Sequence, residues 1–147
     1  MLGLLNISEA TSIALHTCVW LADGVADFRS TKTISKSLGF SPNHSAKVVQ
    51  QLVRAGLLET ERGPSGGSRL ARPAADITLL EIYVAAGGTP DYTGCLLHHT
   101  FCNGKRCVLG KQMARENKRL IKLLQQTTLD QIAHPLKKSK KGTPHET

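Results

Sequence analysis

The stretch between residues 31 and 71 constrains this chain more than any other, because it interrupts its own helices at closely set points. Residues 31–38 read as a short helix with Ile34 and Leu38 facing in, and Gly39 ends it by taking a left-handed conformation at no steric cost. Phe40-Ser41-Pro42 then restarts the chain: Ser41 suits an N-cap, and the fixed φ of Pro42 suits the first helical position. The second helix runs to about Ala55, with Val48, Val49, Leu52 and Val53 apolar, and Gly56 stops it. Two helices joined by a tight turn, the second opening on small polar residues, form a helix-turn-helix. Leu57-Leu58-Glu59-Thr60 is strand-like, the run from Arg62 through Gly63-Pro64-Ser65-Gly66-Gly67 to Arg69 is a glycine-rich turn, and Leu70-Ala71 resumes the strand. A two-stranded hairpin directly after a recognition-type helix, with an arginine at each end of its loop, reads as a wing; an ordinary surface hairpin is the alternative. The fold class expected is therefore mainly α, a winged helix-turn-helix.

The distribution of charge points the same way. The chain of 147 residues has a net charge of +8, which predicts an anionic partner, nucleic acid first. Residues 28–72 hold eight Lys and Arg against two Glu, a net of +6; residues 137–147 carry +3, and everything else −1. Most of the phosphate-attracting charge thus sits on the helix-turn-helix and wing. Asn43, His44, Ser45 and Lys47 are expected to face base edges from the start of the recognition helix, with Ser41 at its cap and Arg54 nearer the phosphates. In the wing, Arg62 and Arg69 would clamp the flanking groove, and Ser65, Gly66 and Gly67 would let backbone N–H groups approach phosphate.

The remaining segments supply a body and a long helix. Ser8 caps a helix over 8–22 in which Ala10, Ile13, Ala14, Thr17, Cys18 and Leu21 recur at helical spacing, while Glu9, Ser12, His16 and Asp23 fall on the polar side. Thr78-Leu79-Leu80-Glu81 is a capping box opening a helix through Ala86. A helix from about Val108 to Gln126 carries Met113, Asn117, Leu120, Leu123 and Leu124 on one side, and Thr128 caps a last turn, Leu129–Ala133. So small a winged domain cannot bury that stripe alone, which predicts a homodimer through the long helix. The expected organisation is a DNA-binding unit over 7–88, a cysteine loop over 89–107, the dimerisation helix and terminal turn over 108–134, and a basic disordered tail over 135–147. No apolar run approaches the roughly 18 residues of a membrane span. The opening residues show no secretion leader, so a cytoplasmic protein is expected.

Cys95, Cys102 and Cys107 form C-x6-C-x4-C in a loop containing Gly94 and Gly104. Three soft thiolates on a backbone free to wrap can bind zinc or an iron–sulfur cluster, and the absence of paired C-x2-C weighs against zinc. Lys105 and Arg106 beside Cys107 favour its thiolate. A fourth ligand is wanting: His16 is the first candidate, with Glu9, His98 and His99 as others. Cys18, on the apolar side of the first helix, reads as a small core residue.

With these features in place, the chain resembles the Rrf-type family of bacterial winged-helix transcriptional regulators, the IscR- and NsrR-like iron–sulfur regulators among them, over about residues 7–133. The resemblance rests on Leu57-Leu58 leading into Arg62-Gly63-Pro64-Ser65-Gly66-Gly67, on Asp76-Ile77-Thr78, and on the three-cysteine loop. It implies a homodimer crossed through the long helix, a palindromic operator in double-stranded DNA, and a cluster, [2Fe–2S] ahead of [4Fe–4S], whose state controls DNA affinity. Cys95, Cys102 and Cys107 are the ligands it suggests, Cys95 and Cys107 ahead of Cys102, and the fourth stays open, with His16 placed first on the residues. The chain departs from the family in its cysteine spacing, in Gly110 where IscR-like members have histidine, in Ser12 where NsrR-like members have aspartate, and in Ala46 where a base-reading glutamate is usual. The function expected is a dimeric regulator, a repressor first of all. A cluster-free relative that switches by a Cys102–Cys107 disulfide is the alternative. No Gly-x-Ser-x-Gly or His-Glu-x-x-His constellation supports an enzyme.

Overall fold

A computed structural model describes residues 7–23, 27–90 and 107–138. The elements follow in chain order as α1 (Glu9–Leu21), α2 (Thr31–Leu38), α3 (Pro42–Arg54), β1 (Leu58–Glu61), β2 (Gly67–Leu70), a 3-10 turn (Ala74–Asp76), α4 (Leu79–Ala85), α5 (Val108–Gln126) and α6 (Leu129–Lys138). The Ser8 hydroxyl accepts the Thr11 N–H and starts α1; the Ser30 hydroxyl accepts the Thr33 N–H and starts α2. Gly39, at φ 72°, ends α2 as its sequence position predicts. Ser41 stands at the N-cap of α3 but makes no side-chain capping bond, so Pro42 and its fixed φ carry that helix start.

The core is one cluster. Ile13, Ala14 and Cys18 of α1 meet Ile34 of α2, Val48, Val49 and Leu52 of α3, and Leu57, Leu58, Ile77 and Ile82. Leu129 and Ala133 of α6 belong to the same cluster, so the end of the described chain folds back onto the winged unit. The return is pinned by backbone pairing: Leu79 N–H donates to the Thr127 carbonyl at 3.0 Å, and Leu129 N–H donates to the Ile77 carbonyl at 2.8 Å. Just ahead of these fixed points α5 packs on α4 through a narrow seam, and Ile121 is its one buried residue. Val108, Leu109 and Leu123 are 83%, 57% and 58% exposed.

The hairpin pairs antiparallel, Leu58 with Leu70, Glu59 with Arg69, Thr60 with Ser68 and Glu61 with Gly67. A third segment joins it, because Arg29 and Ser68 exchange both backbone hydrogen bonds at 2.8–3.0 Å. The hairpin pairing ends at Glu61 and Gly67 and leaves a wing loop of residues 62–66, so Ser68 and Arg69 lie within β2 where the sequence predicts a turn. The pairing partner, Arg29, lies some forty residues earlier, which local sequence does not report. The helix after Thr128 also runs on through Pro135 to Lys138, past the point where a disordered tail is expected.

Candidate nucleic-acid interface and sensor residues

α3 amphipathicity sorts its residues. Ser45, Val48, Val49 and Leu52 are buried, whereas Asn43, Lys47, Gln50, Gln51 and Arg54 are exposed. Asn43, Lys47, Gln50 and Arg54 recur at four- and three-residue steps, so they share one face of the helix. Gln50 was not among the residues expected to read bases, although the spacing from Asn43 was enough to find it. Ser45, expected to face base edges, is 2% exposed, and its hydroxyl has no hydrogen-bond partner among the described residues. Its position one turn ahead of Val48 and Val49 commits it to the core side. His44 is half-buried, and its Nδ1 lies 3.3 Å from Glu9 Oε2 at the start of α1.

The eight basic residues of the segment separate into two sets. Arg29 is paired with Asp23, Arg69 with Glu59 and Arg72 with Glu81. Lys32, Lys36, Lys47, Arg54 and Arg62 are exposed and make no ion pair among the described residues. These five cations lie on α2, α3 and the wing loop. Such an array attracts a polyanion by displacing its counterions, with little competition from carboxylates of its own. Of the residues expected to clamp a groove, Arg62 is presented and Arg69 is engaged inside the protein.

Two wing glycines are required by close packing. A Cβ on Gly66 would sit 2.2 Å from the Glu61 carbonyl oxygen, and one on Gly67, at φ +147°, would sit 2.2 Å from the Arg29 backbone. Ser65 is exposed at the loop tip beside them.

Of the four expected ligands, Cys95 and Cys102 lie outside the described residues, as do His98 and His99. Cys107 is half-buried at the N-cap of α5, where its sulfur accepts the Gly110 N–H at 3.1 Å. His16 is exposed on α1, 6.0 Å from Phe40 in an edge-to-face contact. Its Nδ1 lies 2.7 Å from the Ser12 carbonyl oxygen, which can only accept, so Nδ1 carries a proton. Cys18 is fully buried, and burial pushes its thiol up to about 12. Among the described residues no group of three His, Cys, Asp or Glu side chains is gathered to hold a metal ion.

Comparison with known proteins places this geometry. A profile of the Rrf2 family, described as iron-dependent transcriptional regulators, matches residues 7–135. The HTH-type transcriptional regulator YwgB of Bacillus subtilis is 35% identical over 105 residues, which span 70% of this chain and 67% of that protein. Two further relatives, 35% and 37% identical, are spanned over only 51% and 50% of their own length. Among solved structures, CymR, the global cysteine regulator of B. subtilis, superposes with a TM-score of 0.74 at 24% identity, over 92% of this chain and 98% of its own. IscR of T. potens gives 0.74 at 20% identity, over 95% and 94%. At these identities the two structures establish the winged-helix fold.

Proposed function

The chain belongs to the Rrf2 family of transcriptional regulators and is a DNA-binding regulator of that kind, and from this premise we propose that it is a cytoplasmic homodimer which represses from a palindromic operator under control of an iron–sulfur cluster. The observation that carries the DNA side is the sorting of charge. Five exposed cations without carboxylate partners among the described residues are spread over α2, α3 and the wing loop. In this reading Asn43, Lys47 and Gln50 face base edges in the major groove, Arg54 and Arg62 meet phosphates, and Ser41, Ser65 and His44 border the contact. Buried Ser45 supports the helix from behind.

The donor set fits a cluster. Three thiols and an imidazole are the kinds of ligand that iron–sulfur centres take, and the Cys107 sulfur already accepts a hydrogen bond from Gly110 N–H. A ligating histidine commonly donates its other ring N–H to a backbone carbonyl, as His16 does to Ser12. Cys95, Cys102, Cys107 and His16 would hold the group, which supplies sensitivity to redox state, nitric oxide or iron. The cysteine-bearing segment lies between α4 and α5 in the sequence, and α5 is tied at its far end to the start of α4. A change in the loop is thereby coupled to the placement of α5.

Protein isolated without oxygen should show visible absorbance and a paramagnetic resonance signal on reduction, both abolished by Cys95→Ala or Cys107→Ala. A colourless, metal-free protein with full operator affinity would sink the cluster. The disulfide alternative is favoured by the partial exposure of Cys107. Mass spectrometry before and after peroxide separates it, through loss of two hydrogens across Cys102 and Cys107.

A further inference from the structure

A hairpin of two four-residue strands has no stability of its own, so something must fix the direction in which the wing points. Two arginines that a charge count assigns to DNA do this instead. Arg29 Nη2 donates to both carboxylate oxygens of Asp23 at 2.8 Å, and its Nη1 reaches the Trp20 carbonyl oxygen at 3.4 Å. Its guanidinium lies 4.6 Å over the Trp20 ring, and the side chain is only 16% exposed. Next to it, Arg69 of β2 lies 4.3 Å over the ring of Phe28 and donates Nε to Glu59 across the hairpin. Between these stacks runs the Arg29–Ser68 backbone rung, so close that Gly67 has no room for a Cβ.

We infer that Arg29 and Arg69 are positioning residues for DNA binding: stacked on Trp20 and Phe28 and neutralised by Asp23 and Glu59, they lock the wing to α1 so that Arg62 meets the phosphate backbone. Neither binds phosphate. A phosphate could reach Arg29 only by displacing a carboxylate already held by charge-assisted bonds and by unstacking the ring. The inference rests on the reading of Arg62 as a phosphate contact.

The test removes the carboxylates. Asp23→Asn and Glu59→Gln each delete a negative charge from the DNA-binding half. If the arginines were phosphate ligands, their release would tighten binding and steepen its salt dependence. Positioning predicts the reverse. Full-length variants titrated against a fluorescent random-sequence duplex of roughly 30 base pairs should bind about threefold to eightfold more weakly near 0.1 M salt, the worth of up to one phosphate contact. The loss should vanish in an Arg62→Ala background, where the wing has nothing left to place. Tighter or unchanged binding by Glu59→Gln, or an equal loss in the Arg62→Ala background, overturns the inference. Glu59 is 45% exposed, so this variant keeps the fold even if Asp23→Asn loses helical signal. Arg62→Ala with unaltered affinity and salt slope overturns the wing-tip reading and the inference with it. Tighter binding by the carboxylate variants alongside a weakened Arg62→Ala overturns the inference alone.

Discussion

Cysteine placement separates inert from reactive sulfur residue by residue. Cys18 occupies the i+4 position from Ala14 on the inner side of α1, and its spacing alone marked it as core. Burial disfavours the thiolate, and with the thiol at about 12 the reactive form is about one part in 10⁵ at neutral pH. Iodoacetamide should therefore leave Cys18 unmodified in the native protein and label it only on unfolding, as read by peptide mass spectrometry. Cys18→Ser should cost about 1–3 kcal/mol in denaturant unfolding, because it buries a hydroxyl among apolar side chains. The direction of Ser45 was less legible: its polarity suggested the DNA face, whereas the three-residue step to Val48 decided the matter. Charge likewise did not disclose its own pairing. Arg29, Arg69 and Arg72 look like Lys32 or Arg62 in a sequence, and only the fold brings their carboxylates beside them.

Elements with local start and stop signals were readable, and those completed by distant partners were not. The capping box at Thr78 is local: its N–H donates to Glu81 Oε2 at 2.8 Å, and Glu81 N–H donates to the Thr78 hydroxyl at 3.2 Å. Partial burial pushes the Glu81 carboxyl up. The Thr78 N–H, the Arg72 guanidinium at 2.7 Å and the Thr78 hydroxyl outweigh it and hold the group below its ordinary value near 4.5. A carboxyl depressed on folding adds stability above its unfolded pKa and loses it as pH falls through the folded one. Glu81→Gln keeps the capping geometry, so it should be less stable than the parent at pH 7 by up to about 1 kcal/mol. The gap in thermal midpoint should close on acidification below the ordinary carboxylate range; a gap independent of pH would assign the effect to packing. The wing is the opposite case, since β2 is also paired to Arg29, a partner far off in the sequence. Gly63 at φ +117° has open space around it, whereas Gly67 abuts backbone. Gly67→Ala should therefore cost well above the roughly 1 kcal/mol of a strained left-handed residue and should weaken DNA binding, while Gly63→Ala stays near that figure. Equal unfolding midpoints for the two variants would contradict this account.

At the scale of the molecule, the winged unit is completed by α6, and α5 is left with little to pack on. The core draws on α1 to α4 and takes Leu129 and Ala133 from α6, so the C-terminal end of α5 is bound to the domain while three of its large apolar side chains stay exposed. Val108, Leu109 and Leu123 are more than half exposed along a helix of nineteen residues. Apolar spacing made this helix legible in the sequence, and its inward contact through Ile121 was the part that spacing missed. The proposed dimer gives the exposed side chains a partner and places two recognition helices for one palindrome. Leu123→Glu puts a charge at that seam without touching the core, so the monomer should keep its thermal unfolding enthalpy per chain. Sedimentation should show the parent as a dimer and the variant as a monomer at micromolar concentration. Affinity for a two-half-site operator should then fall by about 10²-fold or more, because the second half-site no longer binds at the effective concentration a dimer supplies. Binding to a single half-site should be unchanged, and a matching loss there would show that the substitution had damaged the winged domain and not the pairing.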